Sequence, residues 1–469
     1  MGNKDIRTQL GNRLDMLLKD DWRFTLGQFA KRVPPTSGDH EQGMANGDYT
    51  RKWNNMVNKN CEAGEYRRAM AVVQNYGVQP VVPSMEVYNK LQSKHPSKNA
   101  EAVAAEDWAN ITNYVIPDNA EGMNMHWSEL QSIIKRMKNK VKTGPVDKLR
   151  AEFLKQLCGR NSDPANDELK FMELLSEALS LIGNGKFPVE LGPMIRDCEM
   201  FGGPKKDPGD VRPIGIGSIF KKLVGLWHRN RLTGFNKEQF GDVQFALKPN
   251  GAESIISAFN VSLETMREKH KLALDGKNAF NSCNRSLGMR EIWQFQKEVL
   301  PYFQTGYVQE DPKLWYFGMA EGIKPIQFEE GFMQGDVLAT WAYIMTIQPF
   351  LLQLKEILGE EDFNMFFVDD GNLVADHDKA KAALMHIFTE GPRYGYNVQK
   401  LKGSICLGSC NGDWEMAQQR QQEFIDQFGF DKSIIHIHPD DFPGGMKERM
   451  EIVNTGWWSW VHSSERIPT

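Results

Sequence analysis

Apolar residues recur at helical spacing through the first part of the chain. Leu10, Leu14, Leu17 and Leu18 alternate with charged positions over 7–31. Residues 34–49 (PPTSGDHEQGMANGDY) concentrate Pro, Gly, Ser and Asp and read as an exposed loop. A pair of helices is predicted over 51–91, one of them at 66–75, with Gly77 and Pro80 as stop signals. Another helix is predicted at 100–114, closed by Pro117. In 127–142 the apolar set Leu130, Ile133, Ile134 and Met137 lies on one helical face; Gly144-Pro145 ends that helix and 146–158 begins the next. After Gly202 the texture changes. Short strand-like apolar runs at 212–216, 271–274, 365–368 and 373–375 alternate with helical segments, which predicts an α+β sheet domain. The most apolar run, 338–354, is about one membrane span long. Thr340, Thr346, Gln348, Pro349 and Gln353 interrupt it, so it reads as a buried core helix over 337–354 with Asp336 as its N-cap, and no membrane partner is expected. There are no repeats and no low-complexity tract.

Composition narrows the class. The chain has 469 residues, 41% hydrophobic and 25% charged, which excludes disordered and fibrous proteins. That length allows roughly two to four domains of about 100–200 residues each. Six irregularly spaced cysteines make no disulfide framework, which points to a reducing, intracellular compartment, with nucleus and cytoplasm both open. The opening MGNKDIRTQL has no apolar signal region, and Ile6 breaks the myristoylation pattern. With 56 basic and 61 acidic side chains the net charge is −5, so any nucleic-acid partner must be met by locally concentrated basic residues. Residues 135–150 (KRMKNKVKTGPVDKLR) are such a cluster, and Lys221-Lys222 with His228-Arg229-Asn230-Arg231 are another.

The sharpest local signal is acidic. In 364–376 (NMFFVDDGNLVAD) two apolar runs flank Asp369-Asp370-Gly371-Asn372, and Asp-Gly between strand-like runs predicts a hairpin whose turn uses Gly for φ > 0. Two adjacent carboxylates at a hairpin tip repel unless a cation neutralises them. Taken alone, this pattern reads as a solvated polar turn, because acidic turns are common. Far upstream, the apolar run Lys271-Leu272-Ala273-Leu274 ends in Asp275. An Asp at a strand end beside a two-Asp hairpin is an oxygen-only ligand set for two Mg²⁺ ions, which about 4 Å apart can clamp the attacking and leaving oxygens of a phosphoryl transfer. Whether the two strands are neighbours is a question for the fold.

A series of motifs in chain order carries a resemblance. Asp275-Gly276-Lys277-Asn278-Ala279-Phe280 is similar to the first palm motif of reverse transcriptases, and Phe367-Val368-Asp369-Asp370 resembles their Phe/Tyr-x-Asp-Asp box. Between them 331–338 (GFMQGDVL) is similar to Gln-Gly-Asp-Pro-Leu, with Val337 at the Pro position. Residues 395–402 (GYNVQKLK) fit the later Gly-x6-Lys segment, and 205–214 (KKDPGDVRPI) resembles the fingers segment. Gly144-Pro145-Val146-Asp147-Lys148-Leu149-Arg150 is similar to the family's opening motif, with Lys148 in place of its second Gly, and 244–252 (QFALKPNGA) also falls in place. The set most resembles the reverse transcriptases of non-LTR (LINE-type) retrotransposons.

The resemblance implies a right-hand polymerase: a helical N-terminal extension at 1–120, fingers at 121–240, a palm at 241–404 and a partial thumb at 405–469. It implies RNA-directed DNA synthesis from dNTP onto a DNA or RNA primer on an RNA template, with two Mg²⁺ ions, or Mn²⁺, at Asp275, Gly276, Asp369 and Asp370. Lys205, Lys206 and Arg212 would meet the triphosphate, and Lys402 the pyrophosphate. Phe280 would lie under the sugar and exclude a 2′-hydroxyl; Gln334 and Gly335 would line the nucleotide and template. Lys135, Arg136, Lys138, Lys140, Lys142, Arg150, Lys221 and Lys222 would follow a nucleic-acid backbone. Two other readings stand beside this one. An RNA-directed RNA polymerase of an RNA virus shares the palm, but Phe280 and Val368 depart from its pattern. A non-catalytic RNA-binding scaffold derived from a polymerase would have no use for three carboxylates. Cys406-x3-Cys410 with His436 and His438 has atypical spacing for zinc and reads as unrelated thiols and imidazoles. Trp457, Trp458 and Trp460 read as core aromatics of the thumb. No endonuclease or knuckle module is visible, which leaves a fragment, a standalone polymerase or a divergent member.

Overall fold

The computed structural model describes residues 81–98, 103–117, 123–137, 151–158, 166–205, 210–240 and 242–442. The predicted elements at 7–31, 34–49 and 66–75, the Gly144-Pro145 stop and the Trp457–Trp460 cluster lie outside them. The chain divides into two compact units, 1–82 with 203–211 and 83–202 with 212–469.

Nine strands among the described residues build two sheets. β1 (Cys198–Pro204), β2 (Val211–Ile216), β4 (Lys313–Tyr316) and β5 (Lys324–Gln327) form one, in the order β2-β1-β4-β5. β3 (His270–Leu274), β6 (Phe363–Phe367), β7 (Asp370–Ala375), β8 (Ser404–Cys406) and β9 (Ile435–His436) form the other, in the order β6-β7-β3-β8-β9. The fold is therefore α+β, as the alternation after Gly202 predicts. β3 is the central strand. It is buried at every position, antiparallel to β7 on one side and to β8 on the other. That explains why HKLAL, after His270 and Lys271, reads as a continuous apolar run with no polar alternation. Lys271 turns its ammonium back onto the Lys269 carbonyl at 2.9 Å, and burial pulls its pKa down to about 8.

The helices that support this sheet are bounded where the sequence pattern breaks. The apolar run becomes the Ala339–Leu358 helix, buried on nearly every face and packed on β6 and on the Arg285–Phe295 and His377–Glu390 helices. The predicted start was early. The N-cap is Leu338, not Asp336, whose carboxylate is drawn into the core instead. The Arg285–Phe295 helix opens on Asn284, whose side chain accepts the Leu287 N–H. Nearer the N-terminus the helices run Ala105–Thr112 and Trp127–Arg136, each shorter than its apolar pattern, and Ala151–Leu157. Among the described residues no helix is long and apolar enough to cross a membrane.

Three buried polar groups stitch these layers together. The Asp362 carboxylate lies between Lys269 at 2.5 Å and Lys379 at 2.9 Å. The Gly408 N–H donates to His270 Nδ1 at 2.7 Å, so His270 carries its proton on Nε2 and donates to His377 Nδ1 at 2.9 Å. His377 then donates from Nε2 to Glu423 at 3.0 Å, and the chain of bonds ties β3 to the His377–Glu390 and Trp414–Phe428 helices. The third is Lys221. Its ammonium is 2.8 Å from Asp336 and sits over the Tyr307 ring, and Asp336 also accepts the hydroxyls of Tyr302 and Tyr307 at 2.7 Å. Burial alone would raise the Asp336 carboxyl; the Lys221 charge and these hydrogen bonds outweigh it and hold it below its ordinary value.

Lys221 is therefore no nucleic-acid contact. It is 4% exposed and spent on Asp336, because its helix (Ile219–Arg231) turns this position inward. Lys221→Met leaves a buried carboxylate without its cation and should cost roughly 3–5 kcal/mol in a urea denaturation. A loss within about 0.5 kcal/mol would mark it as a surface lysine after all.

Candidate active site

Main-chain register brings the acidic residues together. β3 and β7 pair Leu274 with Gly371, and the same register carries Asp275 to the position facing Asp370. β6 and β7 pair Phe367 with Asp370, which leaves Val368 and Asp369 as the two turn residues. A Cβ built at Gly276 would lie 3.0 Å from Asp369 Cβ and 3.2 Å from the Tyr396 ring, so the backbone after Asp275 packs directly on Asp369. The far side of this strand end is held by the 395–402 segment: Gln399 N–H donates to the Asp275 carbonyl at 2.9 Å and Lys277 N–H to the Asn397 carbonyl at 2.6 Å.

The hairpin differs from its sequence signal. Asp370 and Gly371 are strand residues, and the left-handed conformation falls on Val368 at φ 59. A β-branched residue there is strained by about 1–3 kcal/mol. The Asp-Gly signal failed because Gly371 is already committed to the ladder opposite Leu274 and Phe366.

The three carboxylates share one field. Burial, then the charge of Asp370 and that of Asp275, push Asp369 up to about 8. Burial, then Asp275, push Asp370 up to about 6; its side chain is the more open to solvent, in keeping with the smaller rise. Two buried tyrosines lie beside them, Tyr343 and Tyr396. Burial first, then the charge of Asp369, raises both phenols well above their usual value, and neither hydroxyl has a hydrogen-bond partner. No sequence pattern singled these two out.

Phe280 joins the same neighbourhood. It lies in the short Ala279–Ser282 helix after Asp275, half-exposed, its ring stacked on Tyr343 at 5.5 Å. Its carbonyl accepts the Phe332 N–H at 2.8 Å, which docks the 331–336 loop beside it. That loop rests on Arg285, a buried residue the motifs did not reveal. Arg285 donates to the carbonyls of Phe328 at 2.8 Å, Gly331 at 3.0 Å and Tyr307 at 3.0 Å and pairs with Asp311 at 3.1 Å. The Gln334 carbonyl accepts the Gly215 N–H from β2 at 2.8 Å. Gly335 is exposed at φ 122, and a Cβ there would sit 2.1 Å from the Gly215 carbonyl, so only glycine allows this approach.

The predicted basic residues scatter. Arg212 is exposed on β2, and Lys402 is exposed three residues beyond Gln399. Lys205 pairs with Asp210 at 2.8 Å. Lys135 and Arg136 are exposed in the last turn of the Trp127–Arg136 helix, where they bond Gln131 at 3.0 Å and Ser132 at 2.5 Å. Lys222 is half-buried. Lys138, Lys140, Lys142, Arg150 and Lys206 lie outside the described residues. Cys406 and Cys410 are buried thiols; burial pushes Cys406 up to about 12 and also raises Cys410, which makes them poor thiolate ligands.

The carboxylate group suits a hard divalent cation. Its donors are all oxygen, they come from two strand ends and a turn, and their mutual repulsion is what a cation relieves. Among the described residues no three His, Cys, Asp or Glu side chains are grouped closely enough to hold a metal ion as they stand. A pH dependence follows. Folding raises Asp369 from 3.8 to about 8 and Asp370 from 3.8 to about 6, so the folded state keeps protons that the unfolded chain has lost. In chelator, the stability that these two acids contribute should be fully present below about pH 4 and be lost as pH rises toward 8. Asp369→Asn should flatten that fall, and Mg²⁺ should raise Tm more at pH 8 than at pH 6. A thermal melt series across pH measures both effects; an unchanged slope in Asp369→Asn would refute the assignment.

The family model described as Reverse transcriptase (RNA-dependent DNA polymerase) matches residues 203–431. A search of curated proteins returns no significant match. The matched span contains β3, the β6–β7 hairpin, Phe280 and the 331–336 loop, so the carboxylate group falls inside it. Residues 203–431 thus constitute a reverse transcriptase domain, and the protein is an enzyme of the nucleotidyltransferase class, an RNA-directed DNA polymerase.

Proposed function

We propose that the protein copies an RNA template into DNA by metal-assisted nucleotidyl transfer at Asp275, Asp369 and Asp370, and that it is of the non-LTR retrotransposon type. The observation that carries this reading is the register that sets Asp275 across from Asp370 while Asp369 packs on Gly276. In this assignment 121–240 are fingers, 241–404 palm and 405–469 a partial thumb, behind a helical extension at 1–120.

Bound Mg²⁺, or Mn²⁺, supplies activation of the primer 3′-hydroxyl and neutralisation of the leaving pyrophosphate. The chain's own residues do the rest. Asp275, Asp369 and Asp370 would hold the cations, Asp369 and Asp370 giving up the protons that burial and neighbouring charge favour on them, with the Gly276 backbone close behind. Arg212 offers a planar fork to the triphosphate, with Lys205 and Lys206 on the segment before it. Lys402 neutralises or protonates pyrophosphate. The Phe280 ring, backed by Tyr343, forms a flat wall under the sugar that leaves a 2′-hydroxyl neither space nor a hydrogen-bond partner. Gln334 and the bare backbone of Gly335 let nucleotide and template approach closely. Lys135, Arg136, Lys138, Lys140, Lys142, Arg150 and Lys222 supply charge for a template backbone, which makes binding salt-dependent.

Primer extension on an RNA template with Mg²⁺ and dNTPs tests the reading. The wild-type chain should make DNA, and Asp369→Asn with Asp370→Asn should lower extension by at least about 10³-fold, the scale of losing preorganised charge stabilisation, while template binding survives. Product made from ribonucleotides instead would identify an RNA polymerase, and binding without extension a scaffold. Phe280→Ala should raise ribonucleotide incorporation relative to deoxynucleotide by roughly 10- to 100-fold, the range available to a steric pocket. Unchanged sugar selectivity would remove Phe280 from that role.

A further inference from the structure

We propose that Gln244 is a positioning residue that clamps the strained Val368 turn and thereby fixes where Asp369 stands. Gln244 is far from the hairpin in sequence and fully buried beside it. Its side-chain amide brackets one residue on both sides: Oε1 accepts the Val368 N–H at 2.9 Å, and Nε2 donates to the Val368 carbonyl at 3.1 Å. The amide's orientation is settled by a third bond, since Oε1 also accepts the Ala246 N–H at 3.2 Å, and a flipped amide would set its NH₂ against two N–H donors. The backbone around Gln244 is itself tied to the hairpin. Phe366 N–H donates to the Val243 carbonyl and Phe245 N–H to the Phe366 carbonyl, both at 2.8 Å, so 243–245 runs parallel to β6 as an added rung.

The clamp answers a specific need. The β6–β7 ladder ends at Phe367 and Asp370, so it gives Val368 no partners. Val368 is also the described β-branched residue held at positive φ, at 59. Left alone, such a turn would relax toward a conformation valine prefers, and the next residue in the chain is Asp369. Gln244 holds the Val368 peptide from a fixed rung of the sheet, so the turn cannot relax without breaking buried hydrogen bonds.

This inference rests on the reading of Asp369 and Asp370 as the metal site, and its test separates the two. Full-length variants are compared by the Mg²⁺ concentration at half-saturation, read both from primer extension and from the Mg²⁺-induced rise in Tm. Gln244→Ala should move the half-saturation point upward by roughly 10- to 100-fold with template affinity unchanged, as expected when a support of a metal ligand is lost. In a Val368→Gly background, where positive φ is unstrained, the same substitution should shift it by no more than about threefold. Gln244→Glu keeps the acceptor for Val368 N–H and loses the donor; it should fall between, and it carries the comparison if Gln244→Ala does not fold. An unchanged half-saturation point, or an equal shift in both backgrounds, overturns the clamp. If the double Asp variant is inert but the Gln244 variants behave like wild type, only the clamp fails. If the double Asp variant extends primers normally, the reading of the metal site fails.

Discussion

Three carboxylates are held within one another's field by hydrogen-bond register, and the rest of the domain is arranged around that unfavourable proximity. Like charges at this spacing would separate if the chain allowed it. It does not, because Asp275 leaves the central strand of a five-stranded sheet and Asp370 begins its antiparallel neighbour. Moving either acid out of register by one residue would flip every side chain of β3 or β7 to the opposite face. The apolar burial along Leu272, Leu274, Leu373 and Val374 opposes that slip. The repulsion therefore cannot relax by movement, and it surfaces as raised proton affinity, a form of readiness for cations.

A second level of order comes from buried ions and polar networks. Lys221 with Asp336, Arg285 with Asp311, and Asp362 between two lysines all sit in or at the edge of the core, where desolvation offsets most of what their attraction contributes to stability. Their value is geometric. Arg285 gathers three carbonyls from two segments, and the loop it holds carries Gln334 and Gly335 and docks on Phe280. Lys221 lies one turn into the Ile219–Arg231 helix and secures Asp336 at the far end of the same loop. The aromatic wall and the glycine approach are thus braced from behind by charges that never reach solvent.

The motifs legible in the chain were those whose chemistry is local. Asp275 at the end of an apolar run, the paired acids after Phe367 and the glycine of Gln334-Gly335 each stand out because a strand end, a turn and a close approach constrain residue type where they occur. The α+β class was legible for the same reason, as a change of hydrophobic period after Gly202. Lys221 and Asp336 were misread. A lysine in a basic run and an aspartate before an apolar helix look like a phosphate contact and an N-cap, and nothing in their immediate neighbours says that the two will meet. Arg285 and Tyr343 fall in none of the motifs, and Gln244 and Tyr396 fall in the 244–252 and 395–402 segments without standing out there, since each acts on residues distant in the chain.

The amino-acid sequence by itself determined which acidic, basic and aromatic side chains stand at strand ends and turns, where most strands and helices fall, and the order in which they occur. Tertiary structure alone decided that the first acid faces the third across a ladder, that Val368 rather than Gly371 takes the left-handed conformation, and that one lysine is consumed inside the core. The reason is physical. Periodicity and turn chemistry act over a few residues, whereas strand register, desolvation and buried charge pairing depend on which distant segments share a neighbourhood, and those partners exist only once the sheet has closed.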